Sequence, residues 1–181
     1  MEVMKAIKTR RSIRRYKTTA VDDKTVDLVL EAARWAPSWT NTQCWRFIVV
    51  RDSSIKAELA ETLVENPAAD AVRNAPVVIV ACAELGKSGY YKGEVATDKG
   101  DWFMFDVALA MQNLVLAAYS LGLGTVHVGR FDAKRVAGIL AVPQGFHVVE
   151  MTPLGFPDEE PKDRPRKELF EIVFYDKYGC Q

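Results

Sequence analysis

Asp101-Trp102-Phe103-Met104-Phe105-Asp106-Val107-Ala108-Leu109-Ala110-Met111-Gln112-Asn113-Leu114-Val115-Leu116-Ala117-Ala118-Tyr119-Ser120-Leu121 is the stretch on which the fold turns. It predicts the longest helix of the chain, 101–121, with almost no polar face, and Gly122 supplies its stop. A helix that is apolar all round has to be buried all round. A single chain of 181 residues has few ways to cover every side of such a rod, so a second copy is expected to cover part of it, making a homodimer; the alternative is a central helix buried within the monomer. No apolar run is read as a membrane span.

Working outward, the segments on either side alternate irregularly between helical and extended patterns. Residues 2–9 carry Val3, Met4 and Ile7 at helical spacing. Residues 23–35 repeat the pattern with Val26, Val29, Leu30 and Ala33, with Asp22 or Asp23 placed to cap. Trp45 to Val50 reads as a strand, and Ser53 as the cap of a helix bearing Ile55, Leu59 and Leu63. Val77 to Ala83 is the clearest buried strand. Residues 85–100, with four glycines, read as a long functional loop. Beyond the long helix come a strand at 125–130, a helix capped by Asp132 running through Leu140, a strand from Phe146 to Met151, and a late strand from Glu171 to Tyr175. Helices and strands in this order predict an α+β domain, 1–181, rather than a doubly wound nucleotide fold.

Composition narrows the partners. Lys plus Arg and Asp plus Glu both number 24, and zero formal charge argues against general nucleic-acid or anionic-membrane binding. Cys44, Cys82 and Cys180 are odd in number and widely spaced, a pattern of reduced thiols in the cytoplasm rather than a disulfide framework. The amino terminus does not read as a signal peptide.

Several chemistries lack their parts. Ala81 to Ser88 imitates a phosphate loop without its first glycine. Gly122-Leu123-Gly124 precedes a strand rather than following one, so it is no dinucleotide fingerprint. His127 and His147 belong to no zinc spacing and sit in apolar strands where packing is the common role. Three polar stretches remain. In Arg10-Arg11-Ser12-Ile13-Arg14-Arg15-Tyr16 an extended backbone puts Arg10, Ser12 and Arg14 on one face, with the arginines roughly 13 Å apart and Ile13 facing inward. In Ala36 to Phe47 the amides of Asn41 and Gln43, each both donor and acceptor, stand between aromatic residues. In Arg164-Pro165-Arg166-Lys167 basic residues ride on a proline-stiffened segment. Taken singly these fit a solvated arginine face, a capped turn and a charged surface loop.

Together they resemble the nitroreductase family of FMN-dependent oxidoreductases. The family's Arg-(Arg/His)-Ser-x-Arg/Lys motif is matched by Arg10, Arg11, Ser12 and Arg14, and its Pro-Ser-x-x-Asn-x-Gln-x-Trp-x-Phe element by Pro37, Ser38, Asn41, Gln43, Trp45 and Phe47. A Gly-Leu-Gly-Thr stretch leading to a Gly-x-Phe-Asp turn is matched by Gly122 to Thr125 and by Gly129, Arg130, Phe131 and Asp132. Pro153, Gly155 and Pro157 match a Pro-x-Gly-x-Pro run, and Arg164 and Arg166 the closing basic pair. Cys44 stands where proline is frequent.

The resemblance implies a three-layer sandwich, a central mostly antiparallel sheet flanked by helices. It implies dimerisation through the long helix, with C-terminal strands exchanged and each FMN bound between subunits. Arg10, Ser12, Arg164 and Arg166 would hold the phosphate with Arg11 nearby. Arg14, Asn41 and Gln43 would meet the pyrimidine edge, and Gly129 with Arg130 would lie beside the hydride-accepting nitrogen. Pro37, Ser38, Pro153, Leu154 and Gly155 complete the expected cofactor set. The implied activity is transfer of a hydride from NADH or NADPH through FMN to an electron-poor acceptor such as a nitroaromatic or quinone. Flavin reduction, dehalogenation, flavin breakdown and flavin binding without turnover are the alternatives.

Overall fold

A computed structural model describes residues 1–180. Its centre is a four-stranded antiparallel sheet in the order β1 (Trp45–Val50), β2 (Val77–Glu84), β6 (Phe146–Gly155), β5 (Gly124–Thr125). Strand β2 is central and paired on both sides, and six of its eight residues are apolar β-formers or alanine with no exposure, as a strand buried on both faces requires. A bulge between Ala81 and Cys82 shifts the β2–β6 register.

Helices cover both faces. One face, lined by Val77, Ile79, Ala81 and Leu154, packs under α5 (Phe103–Ser120) and α2 (Asp23–Arg34). The other, lined by Val78, Val80, Cys82 and Met151, packs under α3 (Ser53–Ala60), α4 (Ala69–Asn74) and α6 (Ala133–Ile139). Alternation along each strand produces this division, because neighbouring side chains point to opposite faces. The three layers are those expected.

The long helix is covered by its own chain along one stripe only. Val107, Ala110, Met111, Leu114, Val115 and Ala118 are fully buried, but Met104 and Phe105 are each 56% exposed and Leu121 is 42% exposed. One face is therefore uncovered within the chain. By length and composition α5 could also cross a membrane, contrary to the expectation that no stretch could, yet its buried stripe packs on the sheet and on α2 as the core of this fold. Helix α1 (Val3–Thr9) buries only Ala6 and leaves Val3, Met4 and Ile7 exposed.

Four boundaries differ from expectation. The cap of α3 is Asp52, whose carboxylate accepts from the backbone N–H of Ser54 and Ile55 at 2.9 and 3.0 Å; Ser53 is already helical. Residues 85–100 are not an open loop, since β3 (Tyr90–Tyr91) and β4 (Glu94–Val95) close a small hairpin. The strand predicted over 125–130 shrinks to Gly124–Thr125 plus one bridge, Val128 with Met151, while β6 runs on to Gly155. The predicted late strand is a short helix, α7 (Leu169–Ile172), closed by reciprocal bonds between Glu168 and Glu171. The apolar run favoured a strand there, but among the described residues no strand pairs with it, and the local capping box decides.

Candidate functional site

The arginine rail forms as its alternation requires. Ser12 bridges Thr125 in parallel, Ile13 N–H donates to the Thr125 carbonyl at 2.9 Å, and Tyr16 bridges Pro157. Ile13 is 6% exposed, and its position is keyed by Gly124: a Cβ there would stand 2.7 Å from Ile13 Cγ1. The rail is thus an extra strand-like layer beside β5, with Arg10, Ser12 and Arg14 turned the other way.

The chain returns to this rail 145 residues later. Glu159 accepts from the backbone N–H of Arg14 and Arg15, and Asp163 Oδ1 accepts from Arg11 Nε at 3.0 Å and pairs with its Nη2 at 2.5 Å. These carboxylates seat the segment that carries Arg164 and Arg166. The result is a cavity of about 500 Å³ lined by Arg10, Arg11, Ser12, Arg14, Lys162, Asp163, Arg164 and Arg166, with Pro161. Six cations surround one carboxylate. Arg10 Nη1 is buried there without a hydrogen-bond partner. Burial first, then the neighbouring charges of Arg11 and Arg166, push the Arg10 pKa down from its ordinary value. A buried guanidinium N–H left unpaired among like charges fits an anion with several acceptor oxygens, as a phosphate offers.

The amide stretch is also built, but elsewhere. A turn of 3-10 helix, Trp39–Asn41, follows α2, and Thr40, Asn41 and Gln43 all adopt positive φ, of 40°, 60° and 47°. Such backbone is held only where surroundings over-determine it. Here Asp106, fully enclosed at the start of α5, accepts the Trp39 N–H on both oxygens at 3.1 Å, Ser38 Oγ accepts the Gln43 N–H at 2.9 Å, and Gln43 Nε2 donates to Asn41 Oδ1 at 3.1 Å. Pro37, Asn41 and Gln43 are exposed. Aromatic side chains stand beside them: Trp39 lies 5.1 Å from Trp102, Trp102 lies 5.4 Å from Phe105, and Trp39 Nε1 donates to the Tyr90 carbonyl.

Within one chain these two halves do not meet. Ser12 lies beyond β5, while Cys44 leads into β1 at the opposite edge of the sheet, about 19 Å away at four interstrand steps. The same separation is written along α5. Asp106 near its start holds the amide turn, and Tyr119 near its end donates to Thr9 Oγ1 beside the rail, roughly 20 Å apart along the axis.

The remaining sequence candidates fall between. Pro153, Leu154 and Gly155 lie in β6. Leu154 is fully buried under α5, and Gly155 faces Gly124 with room for no Cβ, which would meet Pro76 Cδ at 2.7 Å. Gly129 is exposed at the end of the β5 segment, and Arg130 next to it turns toward Glu65, 3.8 Å away. His127 and His147 are surface groups rather than core ones; His127 Nδ1 lies 2.6 Å from Glu150 Oε1. Sequence reasoning passed over Asp106, Glu159 and Asp163. Asp106 carried a signal, as the one carboxylate inside the apolar run from Trp102 to Leu121; the other two look like ordinary surface acids.

The nitroreductase family model matches residues 7–70 and 64–156. A protein of Methanothermobacter thermautotrophicus with the provisional name NADH dehydrogenase/NAD(P)H nitroreductase is 36% identical over 175 residues, 94% of this chain and 84% of the relative. A crystal structure of a nitroreductase family protein from Clostridium novyi NT superposes with a TM-score of 0.77 at 34% identity, covering 99% of this chain and 96% of the other. That of the NADPH:FMN oxidoreductase of Vibrio harveyi, complexed with NAD+, superposes with a TM-score of 0.85 at 26% identity, covering 97% and 77%. With a sheet, a rail and an amide turn assembled in this way and most of its length matched, the chain belongs to the nitroreductase family.

Proposed function

We propose that this chain is an FMN-dependent oxidoreductase, a single domain working in the cytoplasm as a homodimer, that takes a hydride from NADH or NADPH and gives it to electron-poor acceptors such as nitroaromatics or quinones. The observation that carries the reading is the buried, unpartnered Nη1 of Arg10 at the wall of a six-cation cavity. In this reading Arg10, Ser12, Arg164 and Arg166 bind the phosphate, and Arg11 is steadied beside it by Asp163. The name of the Vibrio harveyi relative supports FMN as the group and a nicotinamide as the reductant.

The separation of the two halves supports the dimer. Two copies packed antiparallel across the uncovered face of α5 would bring the start of one helix beside the end of the other, so the partner's amide turn would complete the rail's site. Arg14 would then share the ring edge with Asn41 and Gln43 of the other copy, and Gly129 and Arg130 would lie along the same ring. Leu169, Phe170, Ile172, Tyr175 and Tyr178 are all exposed on the C-terminal segment, which supports an arm that embraces the second copy. Bound FMN supplies the hydride relay. The residues orient it, and a cation at Arg14 favours the extra negative charge of the reduced ring. Trp39, Trp102 and Phe105 form an aromatic wall against which a flat acceptor can stack.

The test is direct. Purified protein is expected to be yellow, or to turn yellow with FMN, and to bleach anaerobically with NADH or NADPH. A preparation that stays colourless after incubation with FMN sinks the reading. Reoxidation by a panel of nitroaromatics, quinones and free flavin then ranks the acceptors.

A further inference from the structure

We infer that His127, held by Glu150, is the residue that stores and delivers the proton accompanying each hydride; this rests on the cofactor reading above. Thr125 faces Leu154 and Val128 faces Met151 in one continuous register, which puts His127 across from Thr152 and Gly129 across from Glu150. Alternation places Thr125, His127 and Gly129 on the same face of the sheet, and Ser12, paired with Thr125, shares it. His127 therefore lies two residues beyond Thr125, the rail's neighbour, and two before Gly129, the position that the cofactor reading sets along the ring.

Its partners fix how it can act. His127 Nδ1 lies 2.6 Å from Glu150 Oε1, and the same oxygen accepts from Thr152 Oγ1 at 3.0 Å. The Glu150 side chain is 15% exposed and that of His127 is 37% exposed. With Nδ1 committed to a largely enclosed carboxylate, proton exchange falls to Nε2 on the open side. On its own segment the neighbouring charge is Arg130, three residues on, which turns to Glu65, while the backbone of Arg14 on the rail is held by Glu159. From α5, Asp106 is committed to Trp39 at the far end and Tyr119 to Thr9.

The step balances. NAD(P)H loses a hydride and becomes NAD(P)+; the hydride adds one negative charge to the site, and His127 Nε2 takes one proton from water in response. In the second half-reaction a quinone receives the hydride together with that proton. The Nε2–H bond breaks, an O–H bond forms, and the quinol leaves with both hydrogens while neutral imidazole remains. A merely structural His127 needs only the bond to Glu150, which a glutamine amide can also donate.

The test measures protons. FMN-loaded protein is reduced anaerobically with one equivalent of NADH in weak buffer with a pH indicator, for wild type, His127→Gln and Glu150→Gln. Wild type is expected to take up more protons per FMN than H127Q, with E150Q in between. Equal uptake by wild type and H127Q, with bleaching intact in both, overturns this proposal alone. Failure of the wild-type protein to bind or bleach FMN overturns the cofactor reading and this proposal with it.

Discussion

Arg10 illustrates how a single side chain can be legible in type and illegible in state. Its spacing from Ser12 and Arg14 was readable from alternation, but its unpaired buried Nη1 depends on a segment more than 150 residues away. Charged hydrogen bonds of this kind are worth about 1.5–3 kcal/mol each. Arg10→Gln is therefore expected to weaken FMN binding roughly 10- to 100-fold while leaving riboflavin, which lacks the phosphate, nearly unaffected; fluorescence titration with both ligands distinguishes them. Equal losses for the two would contradict a phosphate role. The cysteines give a second check. Cys44 is enclosed, and burial followed by the nearby charge of Asp106 pushes its thiol up to about 12; burial pushes Cys82 up to about 11. At pH 8 both stay protonated, and only the exposed Cys180 is expected to react quickly with a thiol reagent, one of three. Fast labelling of two thiols would mean that the amide turn opens.

At the scale of elements, local chemistry and close approach set the boundaries. Asp52 caps α3 with two backbone bonds, so Asp52→Ala is expected to cost about 1 kcal/mol and Ser53→Ala little, read from thermal unfolding. The rail depends on a glycine instead. At Gly124 an added methyl would lie within 2.9 Å of three Ile13 atoms, leaving the rail nowhere to go but outward. Gly124→Ala is expected to destabilise by about 1–3 kcal/mol, lowering Tm by roughly 2–12 °C, and to weaken FMN binding as well. Unchanged stability would show that the rail is not seated there. The helices α2 and α6 and the strands β1 and β2 were legible because their apolar periods and caps are local. The 125–130 strand and the late strand were not, since a strand exists only where a neighbour pairs with it.

For the whole molecule, the distance between rail and amide turn makes an argument that no element makes alone. If each site takes its rail from one copy and its turn from the other, Arg10→Gln and Asn41→Ala proteins, each weak in binding FMN, should complement one another. After co-refolding in equal amounts, half the dimers are mixed and each carries one intact site, so about a quarter of all sites should bind FMN with wild-type affinity. No recovery would mean that each chain builds its own site. By itself the sequence determined the inward stripe of α2, the buried run of β2, the cap of α6, and which polar stretches stand apart from an apolar chain, because these follow from periods of 2 and 3.6 and from chemistry within a few residues. Only the tertiary structure decided that Arg164 and Arg166 close over Arg10, that Asp106 props the amide turn, and that the two halves lie at opposite ends of α5. Those are matters of strand order and of contacts across the chain, and backbone pairing over such distances leaves no local mark in the residues it joins.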